Sequence, residues 1–366
     1  MKTIAAVARQ NHQPLTIEEL ELDDVRPNEV RVKVVASGIC HTDAIVRDGV
    51  YPTPLPAVLG HEGSGIVEAI GSEVTTCQVG DHVILAAAYC GKCDMCRSGL
   101  PTYCENAFGA LFGGSRTDGS KAFSKDGEAI GSHYFGQSSF AHYTNAVENS
   151  VVVVPKDVDL EILGPLGCGL NTGAGTVLNE MRPAAGTSLA VFGTGAVGNA
   201  GIMAARVAGC TKIIAVDIHD SRLELAKELG ATHTINSKNS DVVAELRSIT
   251  GGKGINFALD TTGLPALLVQ AADALAIRGM LVQVGASAPG TTVPFEVGNS
   301  LLKGWTFKTV IEGSSVPQVF LPRLIELWRQ GRFPFDKLIK KYPLTDINTG
   351  FAESASGEVI KPVIVY

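Results

Sequence analysis

The chain has no run of 18 consecutive apolar residues, so nothing in it reads as a membrane span. It has no basic cluster. With 30 Lys and Arg against 37 Asp and Glu the formal net charge is −7, which argues against nucleic acid and anionic membrane surfaces as partners. Low-complexity tracts are missing, and so is any repeat with a period of roughly 20–50 residues. The apolar run near the start, Ile4-Ala5-Ala6-Val7, ends before Arg9. That is too short for the core of a secretion signal and reads as a first strand. Eight cysteines without such a signal fit metal binding or catalysis better than a disulfide framework, and a cytoplasmic location is expected. At 366 residues and 45% hydrophobic, the chain is too long for one ordinary core, so two domains are expected.

One stretch organises the second half. Ser188–Phe192 reads as a buried strand, and residues 199–208, rich in Ala, Met, Ile and Val, read as a helix. Between them lies Gly193-Thr194-Gly195-Ala196-Val197-Gly198. Strand, glycine turn and helix start are the context a dinucleotide-binding fingerprint needs. Gly193 permits the tight turn, Gly195 lets backbone approach a pyrophosphate, and Gly198 lets helix pack on strand. The helix N-terminus then offers N–H groups to the phosphates. Lys212–Asp217 reads as a second strand, ending in an acid 19 residues after Gly198. A carboxylate there holds the ribose 2′-hydroxyl of NAD and repels the 2′-phosphate of NADP, so NAD is the expected cofactor. The plainer role for Asp217, capping the next helix, is already served by Asp220 and Ser221. Beyond it, helices at 221–230, 241–249 and 265–277 alternate with strands at 232–236, 255–260 and 280–284. Such alternation predicts an α/β, doubly wound parallel sheet. Residues 306–311 read as its last strand and 316–330 as a final helix.

Residues 1 to about 160 read differently, as short strands punctuated by glycine, proline and acidic turns, which suggests a largely β domain. Here Cys90, Cys93, Cys96 and Cys104 form a C-x2-C-x2-C-x7-C lobe. Four thiolates with no open position are the signature of structural zinc. The rival is a cubane iron–sulfur cluster, whose bacterial spacing puts the fourth cysteine three residues on, before proline. Here Glu105 follows a seven-residue gap, so zinc is preferred. A second set is dispersed: Cys40, His61 and Cys168. Singly, each reads as an apolar filler or a core imidazole. Together, two thiolates, an imidazole and an open position make a catalytic zinc constellation, although spacing alone does not bring them together.

Gly60-His61-Glu62-Gly63, the cysteine lobe, Gly167-Cys168-Gly169 and the glycine turn occur in the order seen in zinc-dependent medium-chain alcohol dehydrogenases. The resemblance covers essentially the whole chain. Within that family it is most similar to the aryl-alcohol (benzyl-alcohol) dehydrogenases. That finer match is carried by Cys40-His41-Thr42-Asp43 and by residues 51–56, 137–141 and 164–169. The resemblance implies a GroES-like, mainly β catalytic domain at 1–169, to which 312–366 return, around a Rossmann NAD-binding domain at 170–311, with an active site in the cleft. It makes Cys40, His61 and Cys168 the catalytic zinc ligands, and with the cysteine lobe it implies two zinc ions per chain. Asp43 would orient the zinc-bound His61, Glu62 would approach the metal during ligand exchange, and Thr42 would take the alcohol proton. Thr172, Gly285 and Ala286 would border the nicotinamide, and Arg222 the adenosine ribose. The strand at 306–311 would pair subunits into a homodimer or homotetramer.

The implied reaction is reversible NAD-dependent oxidation of primary aromatic or allylic alcohols to aldehydes. Zinc polarises the alcohol oxygen, an alkoxide forms, and a hydride passes to C4 of NAD⁺. Three positions depart from the family pattern. Ile45 stands where animal members carry a proton-relaying His, so the relay from Thr42 must leave by His41 or water. His41 and Lys361 occupy phosphate-binding Arg positions, where each would hold phosphate less strongly. Ala86 falls at a position that is bulky in ethanol-preferring members and leaves room for a ring or branched chain. Tyr51 and Phe140 are candidate aromatic walls, and Glu312 lies near the cleft or in a surface ion pair. A second enzyme reading is S-(hydroxymethyl)glutathione dehydrogenase, for which Arg116 could grip the glycine carboxylate of glutathione, although the surrounding residues 111–115 do not make the case. A non-catalytic NAD- and zinc-binding protein would have been favoured by a missing ligand or a missing Thr42, and all are present.

Overall fold

The structure, a computed structural model, describes Met1–Tyr366 apart from the side chain of Asn299. The chain forms two compact units. One comprises Met1–Cys168, Val316–Leu324 and Asp336–Tyr366; the other comprises Gly169–Ser315 and Ile325–Phe335. The segment expected to return whole to the first unit is thus divided, with Ile325–Phe335 in the second. No helix among the described residues is long and apolar enough to cross a membrane.

The first unit is built on two antiparallel-rich sheets. In one, Lys2–Ala8 pairs with Thr16–Leu22 and with Ala57–Val58. The other centres on Glu29–Gly38, whose alternating valines follow from a strand period of two. Val30 and Val32 turn inward against Val67, Val83, Leu85 and Val151. This strand pairs antiparallel with Gly63–Ile70 on one side and with the C-terminal strand Lys361–Val365 on the other. Ser37 faces Gly63, Gly38 faces Val363, and the Ile39 N–H donates to the Pro362 carbonyl. Three strand ends therefore meet at one place, and each carries a functional side chain just beyond its paired residues: Cys40, His61-Glu62 and Lys361.

The second unit holds a six-stranded parallel sheet. Its order is His233–Asn236, Lys212–Asp217, Ser188–Phe192, Ile255–Asp260, Leu275–Gln283 and Thr306–Thr309. The central strands are buried along nearly their whole length because helices cover both faces. Phe192, Ile214, Val216, Ala258 and Leu281 are all buried in one cluster. One boundary differs from expectation. The helix ends at Ala274 and the strand starts at Leu275, because Leu275 already pairs with Ile255. Sheet pairing there overrides a helical-looking apolar run. Two short helices, Ala107–Phe112 and Ile347–Ser356, lie outside what the sequence pattern indicated.

Candidate active site and metal centres

Cys40 ends the extended approach to a helix, His41–Arg47, and its own N–H donates to Asp43 Oδ2 at 3.0 Å. Asp43 is fully buried, and its other oxygen accepts from the Gly60 N–H at 3.1 Å and from His61 Nδ1 at 2.9 Å. One carboxylate thus ties both strand ends and fixes the imidazole with Nε2 forward. His61 Nε2 is buried with no hydrogen-bond partner. Cys40 Sγ, Cys168 Sγ and a His61 nitrogen all lie within 4.8 Å of one another. A buried, unpartnered imidazole nitrogen aimed among two sulfurs fits a metal ion as its missing partner. The hydrogen bond from Cys168 and the charge of His61 outweigh burial and hold the Cys40 thiol well below its usual range, toward the thiolate a metal requires.

Glu62 and Lys361 complete this end of the unit. Both are buried, and the Lys361 ammonium donates to each Glu62 oxygen at 2.9 Å and to the Ile39 carbonyl at 3.1 Å. A Cβ at position 38 would fall 2.0 Å from Glu62 Oε2, so only glycine leaves room for that carboxylate. Lys361 is therefore placed differently from the phosphate-binding role the resemblance implied, since its three donors already have partners. Lys361→Met should strand a buried carboxylate. We expect a loss of about 3–5 kcal/mol in unfolding free energy, read by urea denaturation, whereas a surface lysine would cost almost nothing.

The four lobe cysteines also come together. Sγ–Sγ distances are 3.4 Å for Cys93–Cys96 and 4.0 Å for both Cys90–Cys96 and Cys93–Cys104. A zinc tetrahedron with Zn–S near 2.3 Å has edges of about 3.8 Å, whereas a disulfide needs about 2.05 Å. The N–H groups of Lys92 and Cys93 hold the Cys90 thiol at about 6, while burial pushes Cys96 up to about 12. Further negative charge on this cluster therefore calls for a cation.

In the second unit the glycine turn has the geometry its spacing implied. Gly193 has φ +88°, and a Cβ there would meet Thr261 Oγ1 at 2.5 Å. A Cβ on Gly198 would lie 1.9 Å from the Gly193 carbonyl oxygen, whereas one on Gly195 would meet nothing within 4 Å. The outer glycines thus serve packing, and the middle one faces open space where a phosphate group fits. Asp217 is committed to the same turn: Oδ2 accepts from the Thr194 N–H and hydroxyl, and Oδ1 from the N–H groups of Ile218 and His219. Burial pushes its carboxyl up, but these hydrogen bonds win and hold it below its usual value. Arg222 Nε is buried without a partner. A Cβ on Gly173, beside Thr172, would fall 1.9 Å from the Val197 carbonyl, so the helix Gly169–Gly175 that carries both packs against the fingerprint helix Ala196–Ala208. Gly285 packs on Gly263 N at the strand ends beside Gly193.

Some sequence expectations are corrected. Phe140 is fully buried and packs on Phe351, so it is core and not a wall. Arg116 forms a bidentate pair with Glu29 and reaches Asp23, which leaves it no free grip for glutathione. Glu312 is not on the surface: it is 6% exposed, and Asn171 Nδ2 donates to its carbonyl at 3.0 Å. His41 is exposed, and Thr42 Oγ1 lies 3.7 Å from Cys40 Sγ. The aromatic surroundings of His61 were missed. Phe135 stacks on its ring at 4.3 Å, and Tyr134 meets it edge-on at 5.4 Å. Gln137, whose Nε2 donates to the His61 carbonyl at 3.0 Å, was seen only as part of a resembling stretch. A cavity of about 890 Å³ at the other end of the parallel sheet is lined by Lys212, Arg247, Lys253 and Lys303. Lys212 and Lys303 there donate to carbonyls near helix ends, at Ile249 and Asp273, and so act as caps.

This geometry defines a two-unit metal- and dinucleotide-type enzyme, and comparison places it. Residues 26–156 match the alcohol dehydrogenase GroES-like domain, and residues 196–328 match the zinc-binding dehydrogenase domain. The geraniol dehydrogenase of Castellaniella defragrans is 41% identical over 364 residues, spanning 99% of this chain and 97% of that one. The crystal structure of benzyl alcohol dehydrogenase from Acinetobacter calcoaceticus is 50% identical with a TM-score of 0.97, covering 100% of this chain and 99% of the other. An alcohol dehydrogenase zinc-binding domain protein from Burkholderia ambifaria is 53% identical with a TM-score of 0.98, covering 100% and 99%. The chain belongs to the zinc-type, medium-chain alcohol dehydrogenases and has their GroES-like and Rossmann domains.

Proposed function

We propose that this alcohol dehydrogenase oxidises primary aromatic or allylic alcohols reversibly with NAD⁺, using a metal ion held by Cys40, His61 and Cys168. The observation that carries the substrate reading is an aromatic tier that starts on a proposed ligand. From Phe135 on His61, rings continue to Phe112 at 5.3 Å, and from Phe112 to Tyr51 at 5.5 Å and Phe108 at 5.6 Å. Phe108 is 63% exposed, so the tier runs from the buried imidazole to the surface. A ring or a planar allylic chain suits such a lining, because offset and edge-on aromatic contacts favour it. The small side chain of Ala86 adds room. The benzyl alcohol and geraniol dehydrogenases named above point the same way.

Zinc bound at this centre supplies Lewis-acid polarisation of the alcohol oxygen, and nicotinamide supplies the hydride acceptor. The chain's own groups do the rest. Asp43 fixes the His61 tautomer, Thr42 accepts the hydroxyl proton, and exposed His41 or water carries it out past Ile45. The Glu62–Lys361 pair gives the buried end of the site a neutral sum of charge. A second zinc at Cys90, Cys93, Cys96 and Cys104 would close the lobe. The Gly193–Gly198 turn, Arg222, Thr172 and Gly285 would hold the dinucleotide. Asp217 would exclude the 2′-phosphate, so Asp217→Asn should raise kcat/KM with NADP⁺ about tenfold and lower it with NAD⁺. Steady-state rates with the two cofactors check this. None of the eight cysteines is in a disulfide, which suits a reducing cytoplasm. At the sheet edge Thr306–Thr309, exposed Leu301, Leu302 and Ile277 suit pairing with a second copy.

The test is NADH formation with benzyl, cinnamyl and short aliphatic alcohols, and with formaldehyde plus glutathione. We expect benzyl or cinnamyl alcohol to have the highest kcat/KM. Turnover confined to formaldehyde with glutathione would overturn the substrate reading.

A further inference from the structure

The aromatic tier depends on a segment that would not hold its shape unaided. His133, Phe135 and Ser138 all have left-handed backbones, with φ of +58°, +53° and +57°. Non-glycine residues adopt that region at a cost, and a run of them persists only where surroundings over-determine it. Here the surroundings are polar and buried. Glu29, the first residue of the strand Glu29–Gly38, is 2% exposed. Its Oε1 accepts from His133 Nε2 at 3.0 Å and from Arg116 Nε at 2.6 Å; its Oε2 accepts from Arg116 Nη2 at 3.1 Å and from the Arg26 N–H at 3.0 Å. On the other side of the imidazole, Ser132 Oγ lies 2.9 Å from His133 Nδ1 and accepts from the Ala122 N–H. The Glu29 carboxylate can only accept, so Nε2 carries the proton that faces it, and the serine hydroxyl, while accepting from Ala122, can give its own proton to Nδ1. The imidazole is thus pinned at both nitrogens. The next two residues are the rings that touch His61, Tyr134 and Phe135.

We propose that Glu29, Arg116 and His133 form a clamp that positions the rings of Tyr134 and Phe135 against His61, at the buried inner end of the aromatic tier, and so sets preference for ring-bearing alcohols. None of the three touches the proposed metal ligands, so they are positioning residues. The inference rests on the aromatic-substrate reading above. The same strand whose far end delivers Cys40 also carries Glu29, so one rigid element references both the proposed metal centre and the substrate surface. The polarity of the clamp fits this task. An apolar contact would leave the ring of residue 133 free to slide, whereas two directional hydrogen bonds fix its plane.

Two substitutions at one position separate positioning from mere stability. Glutamine can place an amide where Nε2 stands, and asparagine can place one only where Nδ1 stands and is at home in a left-handed backbone. In His133→Asn we expect KM for benzyl alcohol to rise about tenfold, with kcat and KM for a short aliphatic alcohol changed less than about twofold. In His133→Gln both alcohols should stay within about twofold of wild type. If His133→Asn does not fold, Ser132→Ala, which frees the other nitrogen, should raise KM for benzyl alcohol alone by about threefold. Wild type is measured first. Without a preference for benzyl alcohol there, the substrate reading fails and takes the clamp with it. With that preference, an equal loss for both alcohols in His133→Asn, no loss at all, or no rescue by His133→Gln overturns the clamp alone.

Discussion

Cys40→Ala should abolish turnover while leaving nicotinamide-dinucleotide binding intact. The thiol is one of three donors at the proposed catalytic centre, and its helix start is tied to His61 through the two oxygens of Asp43. Removing it leaves two protein ligands, too few to hold zinc in a defined open geometry. Polarisation of the alcohol oxygen is worth several kcal/mol, so kcat/KM should fall by at least about 10³-fold. The glycine turn belongs to the second compact unit, as does Asp217. Cofactor affinity, measured by fluorescence titration, should therefore change by less than about twofold. A variant with wild-type turnover would refute the ligand assignment.

Cys93→Ser should have the other large effect, on integrity and not on chemistry. Around the lobe the described residues form only short helices, Asp94–Arg97, Pro101–Tyr103 and Ala107–Phe112. The first two carry almost no buried apolar side chain of their own. Such a segment lacks a core, and the proposed ion, with the four sulfurs closing on it, would supply its order. Structural zinc contributes roughly 10–16 kcal/mol to the folding of isolated zinc-finger peptides. The variant should lose this ion and open locally, with trypsin cleavage at Lys92 and Arg97 accelerated by at least about 100-fold. Unchanged cleavage rates would show that the lobe is held by packing alone.

The cysteine lobe and the glycine turn could be read in the sequence because each obeys a local rule. Four cysteines within fifteen residues can hardly avoid meeting, and G-x-G-x-x-G between strand and helix has few other uses. Cys40, His61 and Cys168 were named through resemblance, since only the pairing of Glu29–Gly38 with Gly63–Ile70 brings the first two together. Long-range pairing also explains the errors. Lys361 reaches Glu62 because the C-terminal strand returns beside Gly38, across some 300 residues that no local pattern spans. Arg116 is held by Glu29 and Phe140 by Phe351, partners that are also remote in sequence. The stack of Phe135 on His61 depends on three left-handed residues that propensity would have rejected. The helix boundary near Leu275 moved because a neighbouring strand outbid local propensity.

The most direct test of the account is to follow zinc and activity together during stepwise chelation. Zinc per chain is measured by plasma mass spectrometry, benzyl alcohol oxidation by NADH absorbance, and lobe integrity by trypsin digestion of the same samples. The account predicts two zinc ions per chain at the start. Activity should fall with loss of the ion at Cys40, His61 and Cys168, and protease resistance of the lobe with loss of the ion at Cys90, Cys93, Cys96 and Cys104. Full activity in protein stripped of both ions would contradict it.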